Sequence, residues 1–287
     1  IVRLARPSGA ATGKAAGGHK YAYGHALVLS GGPGRGGAAR LAARGALRVG
    51  AGLVTVGCPP AALPENAARL DAVMLRPVAD AAALMEVLKN GRLNALCLGP
   101  GMGVGEPTRA MVLAALAAKR ATVLDADALT SFAGDPAILF GALHPKVVLT
   151  PHMGEFRRLF PDLKSKLDEP ATRGPAYSKV DAAREAAARA GCAVLLKGPD
   201  TVIAEPSGRC AINSAHYQRA APWLATAGSG DVLAGCITGL LARGFAPMAA
   251  AETAAWLHVE CARKFGPGLI AEDLPEQLPA VFRDLGP

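Results

Sequence analysis

Short apolar runs recur along this chain, separated by stretches with helical periodicity. The runs are residues 26–30, 53–56, 95–98, 122–125, 147–150 and 192–196. Each is continuous rather than alternating, which predicts strands buried on both faces. Between them, Ala39, Ala42, Ala43 and Ala46 line one helical face, and helices are predicted near residues 81–89, 108–118, 180–190 and 248–265. Leu233, Cys236, Ile237 and Leu240 repeat at helical spacing and predict a further helix with one buried face. Two shorter strands, 201–204 and 210–213, flank the turn Pro206-Ser207-Gly208. Strands alternating with helices predict an α/β fold, with a central, mostly parallel sheet and helices on both faces. Residues 1–18 are rich in Ala and Gly and lack periodicity, so a flexible arm or linker is expected before a single domain over 19–287. Residues 161–178 hold prolines, glycine and charges and are expected to form a surface loop.

Composition narrows the class. Hydrophobic residues make up 51%, but aromatics only 5%, so the apolar mass is mostly Ala, Leu and Val and suits helices packed closely on a sheet. The net charge is +8. No basic cluster is interleaved with aromatics and no block of like charges appears, so nucleic acid is not the expected partner. A cleft for polyphosphate ligands explains the sign equally well, as does a mildly basic surface without ligand meaning. The six cysteines are at least 18 positions apart, which excludes CxxC-type zinc spacing and fits buried thiols in a reducing cytoplasm. No apolar stretch is long enough for a membrane span, and no signal peptide is evident.

The candidate chemistry lies in loops that directly follow predicted strands, where open α/β sheets bind ligands. The run Gly228-Ser229-Gly230-Asp231 opens an apolar helix. Its glycines let backbone N–H groups approach an anion, and the helix N-terminus adds partial positive charge. Asp231 then stands where phosphoryl transfer uses a base; a Gly-rich turn capped by Asp231 is the competing reading. Gly31–Gly37 and Gly99–Gly103 are Gly-rich loops, or simply tight turns. Asp125-Ala126-Asp127 puts two carboxylates at a strand end, for Mg²⁺, water or a helix cap. His152 and Glu155 share a face at a helix start, and Glu155 suits orientation of Mg²⁺-bound water, with capping as the alternative. Lys197 ends an apolar strand, poised over phosphates or snorkelling to the surface. No Walker A motif is present.

In order along the chain, these segments resemble the ribokinase-like superfamily, and more closely the ADP-dependent NAD(P)H-hydrate dehydratase family. The resemblance covers roughly residues 19–280. It is carried by His19-Lys20, Gly37-Ala38-Ala39, Gly50–Val54, Gly99-Pro100-Gly101, Leu124–Leu129, Thr150-Pro151-His152-x-Gly154-Glu155, Lys197-Gly198 with Thr201, and Gly228–Asp231. It implies a ribokinase-like fold and a repair reaction: dehydration of NADHX and NADPHX to NADH and NADPH through phosphorylation of the ring hydroxyl and loss of phosphate. It implies ADP as phosphoryl donor, with ATP as the variant in eukaryotic-type members, and Mg²⁺ held by Glu155 through water. Asp231 would be the general base, with the amides of Gly228, Ser229 and Gly230 on the transferring group. Ala38, Gly101, His152 and Asp231 would contact the hydrated dinucleotide. Lys197, Gly198, Pro199, Asp200, Thr201 and Gly230 would contact the nucleotide.

Two positions depart from the family pattern. Met153 replaces the usual Pro, which predicts a looser His152 loop, and Ser229 replaces Thr with the hydroxyl kept. A start at Ile1 suggests the C-terminal half of a bifunctional protein with an NAD(P)HX epimerase upstream, and a homo-oligomer, commonly a tetramer, is expected from the resemblance. The competing readings are another ribokinase-like kinase, such as a hydroxyethylthiazole kinase, and a nucleotide-binding regulator without turnover.

Overall fold

A computed structural model describes every residue except 12, 15–17, 173 and 287. Among the described residues ten strands form one sheet. They are β1 (Val2–Leu4), β2 (His25–Leu29), β3 (Leu53–Cys58), β4 (Met74–Pro77), β5 (Leu93–Leu98), β6 (Ala121–Leu124), β7 (Val147–Leu149), β8 (Ala193–Leu196), β9 (Asp200–Ala204) and β10 (Cys210–Ser214). Their order is β1-β10-β9-β8-β7-β6-β5-β2-β3-β4. All neighbouring pairs are parallel except those made by β9, which runs against both β8 and β10. The helices are α1 (Gly37–Arg48), α2 (Leu63–Ala67), α3 (Ala81–Leu88), α4 (Glu106–Ala117), α5 (Asp127–Thr130), α6 (Pro136–Ala142), α7 (Met153–Leu159), α8 (Pro161–Asp168), α9 (Lys179–Ala190), α10 (Ser229–Ala242), α11 (Pro247–Phe265) and α12 (Asp273–Leu285).

Alternation along each buried strand builds the two layers. Ala26, Val28, Val54, Val56, Cys97 and Val123 face a core shared with α1, α10, α11 and α12. Their neighbours Leu27, Leu29, Leu96, Leu98 and Leu124 face a second core that includes residues of α3, α4, α7 and α9. The expected α/β sheet with helices on both faces is therefore the observed architecture.

Three expectations are corrected. First, α10 is not buried on one face only: every residue from Val232 to Ala242 is buried. Small residues make this possible. A Cβ added to Gly235 would meet the Ala42 carbonyl oxygen at 2.0 Å, so α1 and α10 approach backbone to backbone. Second, residues 161–168 are helical rather than loop. Pro161 stands at the first helical position, where its missing N–H costs nothing, and Leu163 is buried. Third, the arm is not a loose linker where it is described. Residues 2–4 pair in parallel with β10, Arg3 Nη2 donates to the Glu252 carboxylate at 2.6 Å, and the Ser8 amide donates to Thr253 Oγ1 at 3.1 Å. The remainder of that expectation falls partly on residues 12 and 15–17, outside the described residues. All six cysteines are free and buried. Among the described residues no helix is long and apolar enough to cross a membrane.

The chain leaves β2 toward one edge through β3 and β4, then returns to build β5 to β8 on the other side. The order reverses between β2 and β5, and the loops that follow those two strands meet above that point.

Candidate active site

Lys197, at the end of β8, is the junction. Its Nζ donates to Asp125 Oδ1 at 2.6 Å and lies 4.0 Å from Glu155 Oε2. A Cβ on Gly230 would lie 3.6 Å from the same nitrogen. The ends of β6, β7 and β8 and the start of α10 thus converge on one ammonium. Burial pulls the Lys197 pKa down, but the carboxylates of Asp125 and Glu155 outweigh it and hold the group above its ordinary value. The lysine is not snorkelling.

Asp231 is the third residue of α10, and Gly228 is the N-cap. The capping alternative for Asp231 is therefore corrected: with a Gly N-cap in the left-handed region, φ 87°, the carboxylate is free of the cap. Burial first, then the nearby Asp125 charge, pushes the Asp231 pKa up to about 6, with Lys197 opposing. Val232 is the first residue to close an intrahelical bond, onto Gly228 O at 3.2 Å. The Gly230 and Asp231 amides thus project from the helix end, as N-terminal amides do. The Ser229 amide leans onto Thr226 O at 3.4 Å, and its hydroxyl donates to Leu224 O at 2.8 Å.

The carboxylate pair at the end of β6 caps nothing. Asp125 holds Lys197, and Asp127 Oδ2 accepts the Gly103 amide at 2.7 Å. Between them Ala126 takes φ 46° and ψ −116°, a strained conformation for a residue with a side chain. That turn joins the Gly99–Gly103 loop to the junction. The same loop meets the first Gly-rich loop: a Cβ on Gly31 would lie 1.9 Å from Gly101 O, and one on Gly101 would lie 3.5 Å from Ala38 Cβ.

His152 and Glu155 form a capping box on α7. His152 Nδ1 accepts the Gly154 and Glu155 amides at 2.9 and 3.2 Å, and Glu155 Oε2 accepts the His152 amide at 2.8 Å. When neutral, the imidazole must therefore carry its proton on Nε2, which lies 3.3 Å from Glu155 Oε1. The expected looseness at Met153 is not what the geometry gives: Met153 packs against the second core, and the capping box fixes the turn that a proline would have fixed. Burial, despite Lys197, raises the Glu155 pKa.

A cavity of about 540 Å³ opens on the far side of Gly230. Lys197, Gly198, Pro199, Thr201, Ser229 and Gly230 line it, with an apolar wall that includes Leu233 and Val259. Asp200 is not on the lining; its carboxylate lies 3.9 Å from His216 Nε2 at the mouth.

Two residues escaped the sequence reading. Lys179 Nζ donates to the carbonyls of Lys197 at 3.1 Å and Asp200 at 2.5 Å. Burial lowers its pKa to about 8. A lysine at the first helical position, inside the capping box Ser178-x-x-Asp181, was its only signal, because a cation is unfavourable at a helix start unless it has other work. His258 on α11 hydrogen-bonds through Nε2 to Ser229 O at 2.8 Å, and burial lowers its pKa to about 4, so the ring is neutral and donates. A lone histidine on an apolar helix gave no such signal.

Comparison with known proteins agrees with this geometry. Residues 26–279 match the family model described as NAD(P)H-hydrate dehydratase. The chain is 37% identical over 286 residues to the bifunctional NAD(P)H-hydrate repair enzyme Nnr of Moorella thermoacetica, covering 94% of this chain and 51% of that protein. It thus spans about half the length of the curated relatives it matches. Among solved structures, it resembles the ADP/ATP-dependent NAD(P)H-hydrate dehydratase of Bacillus subtilis, with a TM-score of 0.76 and 29% identity over 99% of each chain. A ribokinase-like superfamily protein from Enterococcus faecalis, at TM-score 0.77 and 24% identity over 95% of this chain and 91% of that one, shares the fold.

Proposed function

Because the chain belongs to the NAD(P)H-hydrate dehydratase family, we propose that it converts (6S)-NADHX and (6S)-NADPHX to NADH and NADPH in an ADP-dependent dehydration. The observation that carries the mechanism is Asp231, a half-buried carboxylate with a raised pKa, set at an amide-bearing helix start beside Lys197. A base near neutrality that faces the phosphoryl path is what the acceptor hydroxyl requires.

In the first step Asp231 takes the proton of the C6 hydroxyl as that oxygen attacks the β-phosphorus of ADP. The C6–O–P bond forms, the bridging P–O bond of ADP breaks, and AMP leaves. The turn Gly228, Ser229 and Gly230 stabilises the transferring group through its amides, foremost that of Gly230, since the Ser229 amide already leans on Thr226 O, and Lys197 supplies fixed positive charge. In the second step the ring nitrogen pushes electrons toward C6, the C6–O bond breaks with release of phosphate, and loss of the C5 proton restores the double bond. The ring faces Ala38, Gly101 and His152. The ADP base occupies the cavity beside Lys197, Gly198, Pro199 and Thr201, while Asp200 holds the rim.

Mg²⁺ bound with the nucleotide supplies neutralisation of the phosphate charge. Glu155 fits an outer-shell role: its carboxylate reaches the junction but is committed to the His152 backbone. Among the described residues no cluster of three His, Cys, Asp or Glu could hold a metal directly, and the phosphates would carry most of its coordination. The Bacillus subtilis neighbour is named ADP/ATP-dependent and was co-crystallised with ATP and Mg²⁺; ADP is the donor proposed here.

Family membership disfavours the hydroxyethylthiazole-kinase and regulator alternatives. The relatives are named bifunctional repair enzymes, which supports an NAD(P)HX epimerase, fused or separate, as partner. A cytoplasmic homo-oligomer, a tetramer as the resemblance implies, completes the proposal. The test is direct. Purified chain with ADP, Mg²⁺ and NADHX should regenerate NADH absorbance; no recovery with either nucleotide donor would sink the dehydratase assignment.

A further inference from the structure

A second cavity, a groove of about 700 Å³, runs down α1 and has no role in the chemistry above. Gly37, Arg40, Leu41, Arg44 and Arg48 line it, and their spacing of three and four residues puts them on one helix face. The opposite wall includes residues 69–73 and Glu272.

The groove begins at the catalytic turn. A Cβ on Gly228 would meet Leu41 Cδ1 at 2.7 Å and Ala271 Cβ at 2.9 Å, and Ala271 directly precedes Glu272. The nucleotide cavity is lined by the next two residues of the same turn, Ser229 and Gly230, and shares no lining residue with the groove. The turn that carries Asp231 therefore separates two cavities. A phosphoryl donor on one side leaves the other for the acceptor.

The side chains have the chemistry of a nucleotide site. Arg40 is held by Glu65 at 3.0 Å. Arg44 binds Glu276 through Nε at 2.6 Å, and Arg48 shares that carboxylate. Arg69 is exposed, and among the described residues its guanidinium makes no ion pair or hydrogen bond. Asp71 and Glu272 add carboxylates to the lining. Guanidinium groups suit phosphates and carboxylates suit ribose hydroxyls, while Leu41, Leu47 and Leu70 offer apolar surface to a base. From Gly37 to Arg44 the helix rises about 10 Å, and to Arg48 about 16 Å. That is room for the distal half of an extended dinucleotide whose reacting ring lies at Asp231.

We propose that this groove binds the adenosine-phosphate half of the hydrated dinucleotide, with Arg69 and Arg44 on its phosphates and Asp71 and Glu272 on its ribose hydroxyls. The assignment rests on the dehydratase function proposed above and extends it to the part of the substrate remote from the chemistry.

Two variants of the full chain test it. Arg69→Ala removes the unpartnered charge, and Ala72→Trp obstructs the groove at an exposed position without changing charge. With ADP and Mg²⁺ present, Ala72→Trp should raise KM for both NADHX and NADPHX about tenfold, and Arg69→Ala should raise KM at least for NADPHX by a similar factor. KM for ADP and kcat should stay within about twofold, the signature of lost binding to a remote part of one substrate. In Arg69→Ala, a rise confined to NADPHX puts Arg69 on the 2′-phosphate, and an equal rise puts it on the shared pyrophosphate; both outcomes support the groove. Unchanged KM for both hydrates in both variants overturns it and leaves the dehydratase function standing. A wild-type chain inert toward NADHX overturns both.

Discussion

Asp231 is a residue whose function and stability pull in opposite directions. Its carboxyl pKa rises from 3.8 to about 6 on folding, chiefly through burial. The folded state therefore holds this proton more tightly than the unfolded chain. The stability that follows is fully present below pH 4 and is lost as pH rises through about 6. At pH 7–8 the enzyme carries a partly desolvated charge. Asp231→Asn should thus raise Tm by a few degrees at pH 8 in a thermal melt, while kcat falls by about 10²-fold or more and nucleotide still binds. For the wild type, kcat/KM should fall as pH drops below about 6, because the protonated carboxyl cannot accept the hydroxyl proton; a flat profile from pH 5 to 7 would remove Asp231 as the base. Ala126 gives a second test. Its φ of 46° suits glycine better than alanine, so Ala126→Gly should gain about 1 kcal/mol in denaturant unfolding.

At the scale of elements, the side of the site proposed to hold the nucleotide is a strand end braced from outside. Lys179 on α9 ties the carbonyls of Lys197 and Asp200, closing the turn between β8 and β9. Lys179→Met should raise KM for ADP several-fold with little change in KM for the hydrate, and Lys179→Arg should recover part of the loss, read in steady-state kinetics. The central strands were legible because a buried parallel strand is a continuous apolar run. β4 was not, since Met74-Leu75-Arg76-Pro77 lies at the sheet edge and is mostly exposed. α8 was hidden by its proline and charges, which serve a helix start as readily as a loop. The strand-end loops were legible as candidates, but their roles were not separable. Asp125, Asp127 and Glu155 are all carboxylates near a helix start, and only their partners distinguish an ion pair, a loop tether and a capping box. Lys179 and His258 act on backbone carbonyls far away in sequence, a contact that leaves no local pattern.

For the whole molecule, one sheet brings the turn proposed to be catalytic between two cavities and places the loops after β2 and β5 to β8 around it. The N-terminal strand belongs to that sheet: Arg3 is one of two arginines on Glu252, which is itself only 5% exposed. Removing residues 1–8 should lower Tm on the order of 5 °C by leaving that carboxylate with Arg209 alone and baring the edge of β10. Such a loss, with kcat near wild type, would place the arm in stability rather than chemistry. If phosphorylation sets up the elimination, the hydroxyl oxygen of the substrate departs on phosphorus. NADHX labelled with oxygen-18 at the C6 hydroxyl tests this most directly. With ADP and Mg²⁺, mass spectrometry of the products should find the label in orthophosphate, equimolar with AMP and NADH. Label released into water, with NADH formed, would mean that the hydroxyl leaves without being phosphorylated.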